Sequence, residues 1–284
     1  MRICIHNFGV AVCLAIFSAG CYSESSIREQ VGTGMIQTFY TLSVNKSGLP
    51  LRVSVNGVPI LRWSDPDHAT SSTGIHLWAK PGVNELTLDI GWLQDQTSEY
   101  GNGRVEVELL SLIEQGDLEE QKSLLQQNWP TCANPDYPTQ LSLTWEAEGV
   151  QPTQLWSNAQ RTVLSPDDRE KILDLTEQLH HAINSKDLES VMVFSALKAK
   201  DVGIAMHMGA AEGERSLRDF LEFMVEGPDF ALNTLDRESL EIHDLANGLI
   251  FLVSGPSYTP AIQSEGVQME VYISKIDGEF MIIR

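Results

Sequence analysis

The chain has 284 residues, 42% of them hydrophobic, enough for two modest cores. Its 19 lysines and arginines face 39 aspartates and glutamates, a formal charge of −20. That balance argues against nucleic acid, whose phosphates need Lys and Arg, and against a broad electrostatic contact with anionic lipid.

Met1-Arg2 begins the chain, and an apolar run continues over residues 3–20, broken only by His6 and Asn7. A positive start and a run this short make a signal peptide; a membrane-spanning helix needs about 20 apolar residues. The run ends Phe17-Ser18-Ala19-Gly20-Cys21. This resembles the cleavage box of bacterial lipoproteins, with Ser18 where an aliphatic residue is usual. The resemblance implies removal of residues 1–20 and a lipid on Cys21, hence a membrane anchor and a place in the cell envelope. Tyr22 stands where the inner-membrane retention signal of that class has Asp, which favours the outer membrane, facing the periplasm. Residues 21–34 are polar and serine-containing and read as a tether.

The signal holds Arg2 and no acid, so residues 21–284 carry 18 basic and 39 acidic side chains, a balance of −21. Of Cys4, Cys13, Cys21 and Cys132, only Cys132 then remains as a thiol, so no internal disulfide is expected. Cys132 lies in a proline-rich loop, as an inert thiol or one that pairs with a partner.

From 35 to 158 the dominant period is two. Leu51, Val53 and Val55 alternate with polar residues, as do Leu86, Leu88 and Ile90, then Val105, Val107 and Leu109, then Leu141, Leu143 and Trp145. Each run predicts a strand with one buried and one wet face. Asn56-Gly57 marks a tight hairpin, and Pro59 suits an edge strand. Residues 115–138 interrupt the pattern, with 118–127 reading as a short helix. Such short strands and turns predict an all-β antiparallel sandwich. Pro81-Gly82-Val83-Asn84-Glu85-Leu86 resembles a turn-and-strand motif of immunoglobulin-like and jelly-roll modules. The tryptophans in or near strands, Trp63, Trp78 and Trp145, read as core rather than as a sugar platform.

Residues 159–164 are read as a linker, and from 165 to 284 the period changes. Ser165-Pro166-Asp167-Asp168 is a helix start, followed by one apolar face of Ile172, Leu175, Leu179, Ala182 and Ile183. Leu188, Val191 and Met192 predict a second helix; Ser216 is read as the cap of another, with Leu217, Phe220, Leu221, Met224 and Val225 on its face. Four strands come next, over 240–244, 248–254, 267–275 and 279–284, the last two joined at Asp277-Gly278. Helices followed by an antiparallel sheet define an α+β unit. The segment Leu179-His180-His181-Ala182-Ile183-Asn184-Ser185-Lys186-Asp187-Leu188-Glu189 and the closing Lys275-Ile276-Asp277-Gly278-Glu279-Phe280 are similar to pieces of the nuclear transport factor 2-like superfamily. That resemblance implies an α+β cone, helices wrapped on a curved antiparallel sheet around an apolar pocket.

No motif of that family's enzymes maps onto particular residues here. Gly-x-Ser-x-Gly, the phosphate-binding loop, the dinucleotide fingerprint and Cys-x-x-Cys are all absent from the sequence, so no cofactor or metal is expected. The candidates for catalysis are single residues: His207, His243 and Tyr272. Glu177 and His181 stand at i,i+4 and make half a metal site, and Asp65, Asp67 and His68 share a loop too poor in ligands for calcium. His180 and His181 point about 100° apart on a helix. Two further readings stand beside a non-enzymatic binding lipoprotein, of which a toxin-neutralising immunity protein is one version. One is an isomerase, dehydratase or hydrolase working in the cone; the other is a structural adaptor of an envelope assembly. The expected partner is a basic or neutral protein.

Overall fold

A computed structural model describes residues 37–92, 103–115, 118–130, 138–226, 230–264 and 267–284. Among these residues the chain is a mixture of antiparallel sheets and α-helices, and it divides into two compact units at Gln151/Pro152. Cys21 and Cys132 lie outside the described residues.

The first unit holds two four-stranded antiparallel sheets. One contains β1 (Gln37–Ser47), β4 (Ala69–Gly74), β6 (Arg104–Gln115) and β7 (Leu118–Trp129), in the order β4-β1-β6-β7. The other contains β2 (Leu51–Val55), β3 (Val58–Trp63), β5 (Gly82–Ile90) and β8 (Thr139–Ala147), in the order β3-β2-β5-β8. The period-two residues of both sheets meet in one apolar core: Tyr40, Leu42 and Val44 from β1, Val105, Val107 and Leu109 from β6, Leu51, Val53 and Val55 from β2, Leu86, Leu88 and Ile90 from β5. Trp145 is buried there, with Trp63 and Trp78 packed against it.

Turn chemistry sets the registers. Asn56 and Gly57 both adopt positive φ, 51° and 81°, the conformation a two-residue hairpin needs, and Val55 pairs with Val58 across it. Pro59 lies in β3, an edge strand, where its missing N–H does little harm. The Asn84 side chain is buried and ties two turns together. Its Oδ1 accepts from Lys80 N and Asn56 Nδ2, and its Nδ2 donates to the carbonyls of Lys80 and Gly82, all at 2.8 Å. The Tyr40 hydroxyl donates to Glu148 O and accepts from Glu148 N, both at 2.8 Å, fastening the chain after β8 to β1. Burial raises the Tyr40 pKa.

The helix read over 118–127 is instead part of β7. The segment Leu-Glu-Glu-Gln-Lys-Ser-Leu-Leu-Gln-Gln-Asn-Trp lacks alternation and is rich in helix formers. It nonetheless pairs with β6 from Gln115↔Leu118 to Val105↔Trp129 across one bulge. Ladder pairing along the edge of a sheet overrides weak local propensity.

The second unit, Pro152–Arg284, begins with α1 (Gln154–Asn158), so the division falls before the stretch read as a linker. Then come α2 (Pro166–Asn184), α3 (Leu188–Phe194), α4 (Ala196–Ala205) and α5 (Ala210–Val225). Ser165 caps α2 as expected: its hydroxyl accepts from Asp168 N at 3.1 Å while Asp168 Oδ2 accepts from Ser165 N at 3.2 Å. Hydrogen bonds from Ser165 hold the Asp168 carboxyl below the usual carboxylate range. Ser216 is no cap. It lies within α5, which starts at Ala210, because Gly213, a weak helix former, is required by packing and hides the helix start.

Four strands close the unit as a meander, β9 (Glu241–Leu245), β10 (Ile250–Ser254), β13 (Val271–Ile276) and β14 (Glu279–Ile282), with β11 (Ile262–Gln263) and β12 (Gln268–Met269) as a separate pair. Asp277 and Gly278 adopt positive φ in the predicted hairpin. Phe251, Val253, Val271, Ile273 and Ile282 on one sheet face share a core with Ile172, Leu179, Ala182 and Ile183 of α2.

Candidate functional site

His243 and Tyr272 share a sheet face. Both pair with Leu252, from opposite sides, so the three form one cross-strand row on the face away from the α2 core. The local chemistry of the two side chains is that of satisfied polar groups. Tyr272 OH donates to Glu270 Oε2 at 2.5 Å. His243 Nε2 is 2.8 Å from Ser254 Oγ. Ser254 has one hydroxyl proton, and it points to the Gly255 carbonyl at 2.9 Å, which can only accept. The proton between His243 and Ser254 therefore belongs to the imidazole, and His243 is a donor toward Ser254.

Glu241 Oε2 approaches the same nitrogen at 3.5 Å. A hydroxyl–imidazole–carboxylate relay needs its hydroxyl and its acid on opposite ring nitrogens, so this grouping is not one. The imidazole also stacks on Tyr258, with ring centroids 4.1 Å apart and planes 18° off parallel. Ser257 and Tyr258 reach that position with φ of 57° and 60°, uncommon for residues with a side chain.

His207 is elsewhere in the unit. It comes after α4 with φ of 56°, in a turn where its N–H donates to Ile204 O at 3.0 Å, and Met208 N and Gly209 N both donate to Gly203 O at 2.9 Å. These bonds satisfy the last carbonyls of a helix and reverse the chain into α5.

The other polar groupings resolve in the same way. Glu177 does not join His181 as a metal site. It binds Arg237, which also takes Glu170 at 2.7 Å and Asp174 at 2.8 Å. That carboxylate set, Glu170 foremost, raises the Arg237 pKa. His180 Nε2 lies 2.8 Å from Asn233 O. In the Asp65 loop the cation is the chain's own: the buried Lys46 ammonium donates to Asp65 O at 2.6 Å and Asp65 Oδ1 at 3.1 Å. Among the described residues no group of three or more His, Cys, Asp or Glu side chains is arranged to hold a metal ion.

Two concavities stand out. The first is enclosed by Leu179, Ile183, Val191, Phe220 and Ile282, with Arg284 at its wall, and has a volume of about 20 Å³. That is room for about one water, far below a small-molecule site. His207, His243 and Tyr272 do not line it. Burial pushes the Arg284 pKa down to about 10, partly opposed by Asp201. The second is an open groove of about 290 Å³ between the first turns of α2 and the β13–β14 hairpin, with Lys171 and Lys275 beside Asp168, Asp174 and Phe280. The mixed charge there selects no ligand class.

Sequence reasoning missed Asp201, Arg284 and Lys46. Asp201 and Lys46 are fully buried, and nothing in the sequence around either sets them apart from surface charges. Comparison with known proteins adds no relative: no family model, no curated protein and no solved structure matches the chain.

Proposed function

We propose that this protein is an envelope lipoprotein, tethered through a lipid on Cys21, that works by binding a protein partner of basic or neutral charge. The observation that carries the reading is the charge of −21 after the signal. Residues 21–151 hold 17 acids against 7 bases, and residues 152–284 hold 22 against 11. Both units are therefore acidic, and a basic partner is attracted whichever unit it meets first. The internal engagement of His243, Tyr272 and Glu177 supports binding over catalysis, as does the 20 Å³ size of the enclosed cavity. The two sheets with a shared core support an antiparallel sandwich for the first unit. Helices before an antiparallel meander support the cone-like reading of the second, used as a scaffold and not as a reaction vessel. Neutralisation of a toxin delivered to the periplasm is the version of this role that best suits an acidic, tethered protein.

Among the described residues no helix is long and apolar enough to cross a membrane. The proposed anchor rests on the Ala19-Gly20-Cys21 box alone. Replacing Cys21 by Ser is expected to move the protein from the membrane pellet to the soluble fraction. Globomycin, which blocks lipoprotein signal cleavage, is expected to leave the longer precursor. A wild-type protein found soluble, with processing untouched by the drug, contradicts the anchor. Affinity capture from envelope extract with the Cys21→Ser form then tests the binding half, and the expected product is a stoichiometric basic or neutral protein.

A further inference from the structure

The short helix α1 and most of the stretch that reads as a linker, up to Thr162, are bound to the second unit. Gln154 N and Leu155 N donate to the two carboxylate oxygens of Asp201, at 2.8 and 3.0 Å. Further along, Ala159 bridges Ile276, Gln160 N donates to Lys275 O at 2.8 Å, and Thr162 N donates to Gly248 O at 2.8 Å. Arg161 Nη1 donates to the carbonyls of Ala246 and Asn247 at 3.1 and 3.0 Å. Residues 153–162 thus form a strap running from α4 over the end of β13 to the β9–β10 turn.

The strap is held by others more than by itself. α1 has five residues, too few to be stable alone. Its own cap residue, Thr153, makes no capping bond, and the Thr153 hydroxyl is buried without a partner. The two leading N–H groups are satisfied instead by one fully buried carboxylate from a different helix. Removing that acceptor strands two N–H groups at once, that of Leu155 buried and that of Gln154 partly so, whereas the later contacts are separate backbone bonds and the exposed Arg161 guanidinium on two carbonyls.

We propose that Asp201 is the latch of a conformational device: it holds strap 153–162 on the second unit, and its release converts the strap into a free linker between the two units. Latched, the chain is bound to the second unit from Gln154 onward. Unlatched, about eleven residues before the Ser165 cap of α2 are released, a length of up to about 40 Å when extended. The α2 core is built from residues 172–282 and includes no strap residue, so it is expected to keep its fold, while the buried Leu155 of the strap and the buried Arg284, 3.8 Å from Asp201, are the groups disturbed with the latch.

Hydrogen exchange on the full chain tests this, comparing wild type with Asp201→Asn, Asp201→Ala and Arg161→Ala. Asp201→Asn keeps the side-chain size but leaves one acceptor for two donors. Both Asp201 variants are expected to raise exchange of amides 154–162 by at least about tenfold, while α2, β10 and β13 keep their protection. Arg161→Ala is expected to loosen 160–163 and leave Gln154 and Leu155 protected. Unchanged strap protection in both Asp201 variants overturns the latch. So does a uniform loss across the second unit, which makes Asp201 an ordinary core group, and so does Arg161→Ala freeing α1 as fully as Asp201→Asn.

Discussion

Asn84→Ala is expected to destabilise the first unit by about 3–4 kcal/mol, a large fraction of the stability of a domain this size. The Asn84 amide is 1% exposed and makes four hydrogen bonds at 2.8 Å. Truncation leaves the N–H of Lys80, the carbonyls of Lys80 and Gly82 and the Asn56 amide short of a partner. Each buried orphan costs about 1–3 kcal/mol, moderated where water reaches the turn. Urea unfolding followed by tryptophan fluorescence measures the change, and a loss under about 1 kcal/mol would show that the two turns hold without the Asn84 bridge. Asn84→Asp is expected to fall close to Ala, because the carboxylate keeps the acceptors but cannot donate to the two carbonyls.

Gly213→Ala is the second large effect. In an exposed helix this change would stabilise, by about 1 kcal/mol, through helix propensity. Here α4 and α5 cross with backbone against backbone. A Cβ at Gly213 would collide with Ala199 O and meet Gly203 Cα and N at 2.8 Å. No flexible side chain can give way, so the helices must separate, at a cost of about 3 kcal/mol or more. The expected net loss is about 2–3 kcal/mol, read as a lower thermal midpoint and urea midpoint. A rise in stability would mean that the helices do not approach this closely. Gly203, whose Cβ would collide with Gly209 O, is expected to behave the same way.

The parts of the fold legible in the sequence are those where one local rule acts without competition. Leu86, Leu88 and Ile90 alternate because one face of β5 is core and the other is wet. Ser165-Pro166-Asp167-Asp168 announces α2 because capping is settled within four residues. β7 is hidden because its outer half is exposed on both faces, which leaves no alternation to read, and its strand state comes from pairing with β6. The start of α5 is hidden because Gly213 serves a contact with α4, a partner ten residues and more away in sequence. Residues 159–164 look like a linker for a similar reason. The bonds of this stretch and of α1 before it go to Asp201, Ile276, Lys275 and the 246–248 turn, none of them near in sequence.

The candidate site is legible as residue types and not as an arrangement. Alternation leaves open which way His243 points in its strand, and the ladder through Leu252 puts it on the face that carries Tyr272. The serine that receives its proton, Ser254, and the tyrosine that covers its ring, Tyr258, come from the next strand and the turn after it. Asp201 carries no signal, because a buried carboxylate is defined by the backbone N–H groups it accepts, and these belong to a segment almost fifty residues earlier.

In the proposed role an acidic, tethered protein finds its protein partner by electrostatic attraction. The most direct measurement is the association rate of the captured partner with the Cys21→Ser form at ionic strengths from about 0.01 to about 1 M. Over that range the screening length shrinks from about 30 Å to about 3 Å. The association rate is expected to fall by about tenfold or more, with a much smaller change in the dissociation rate. A partner whose association rate is the same across the range, or an envelope extract that yields no protein partner at all, contradicts it.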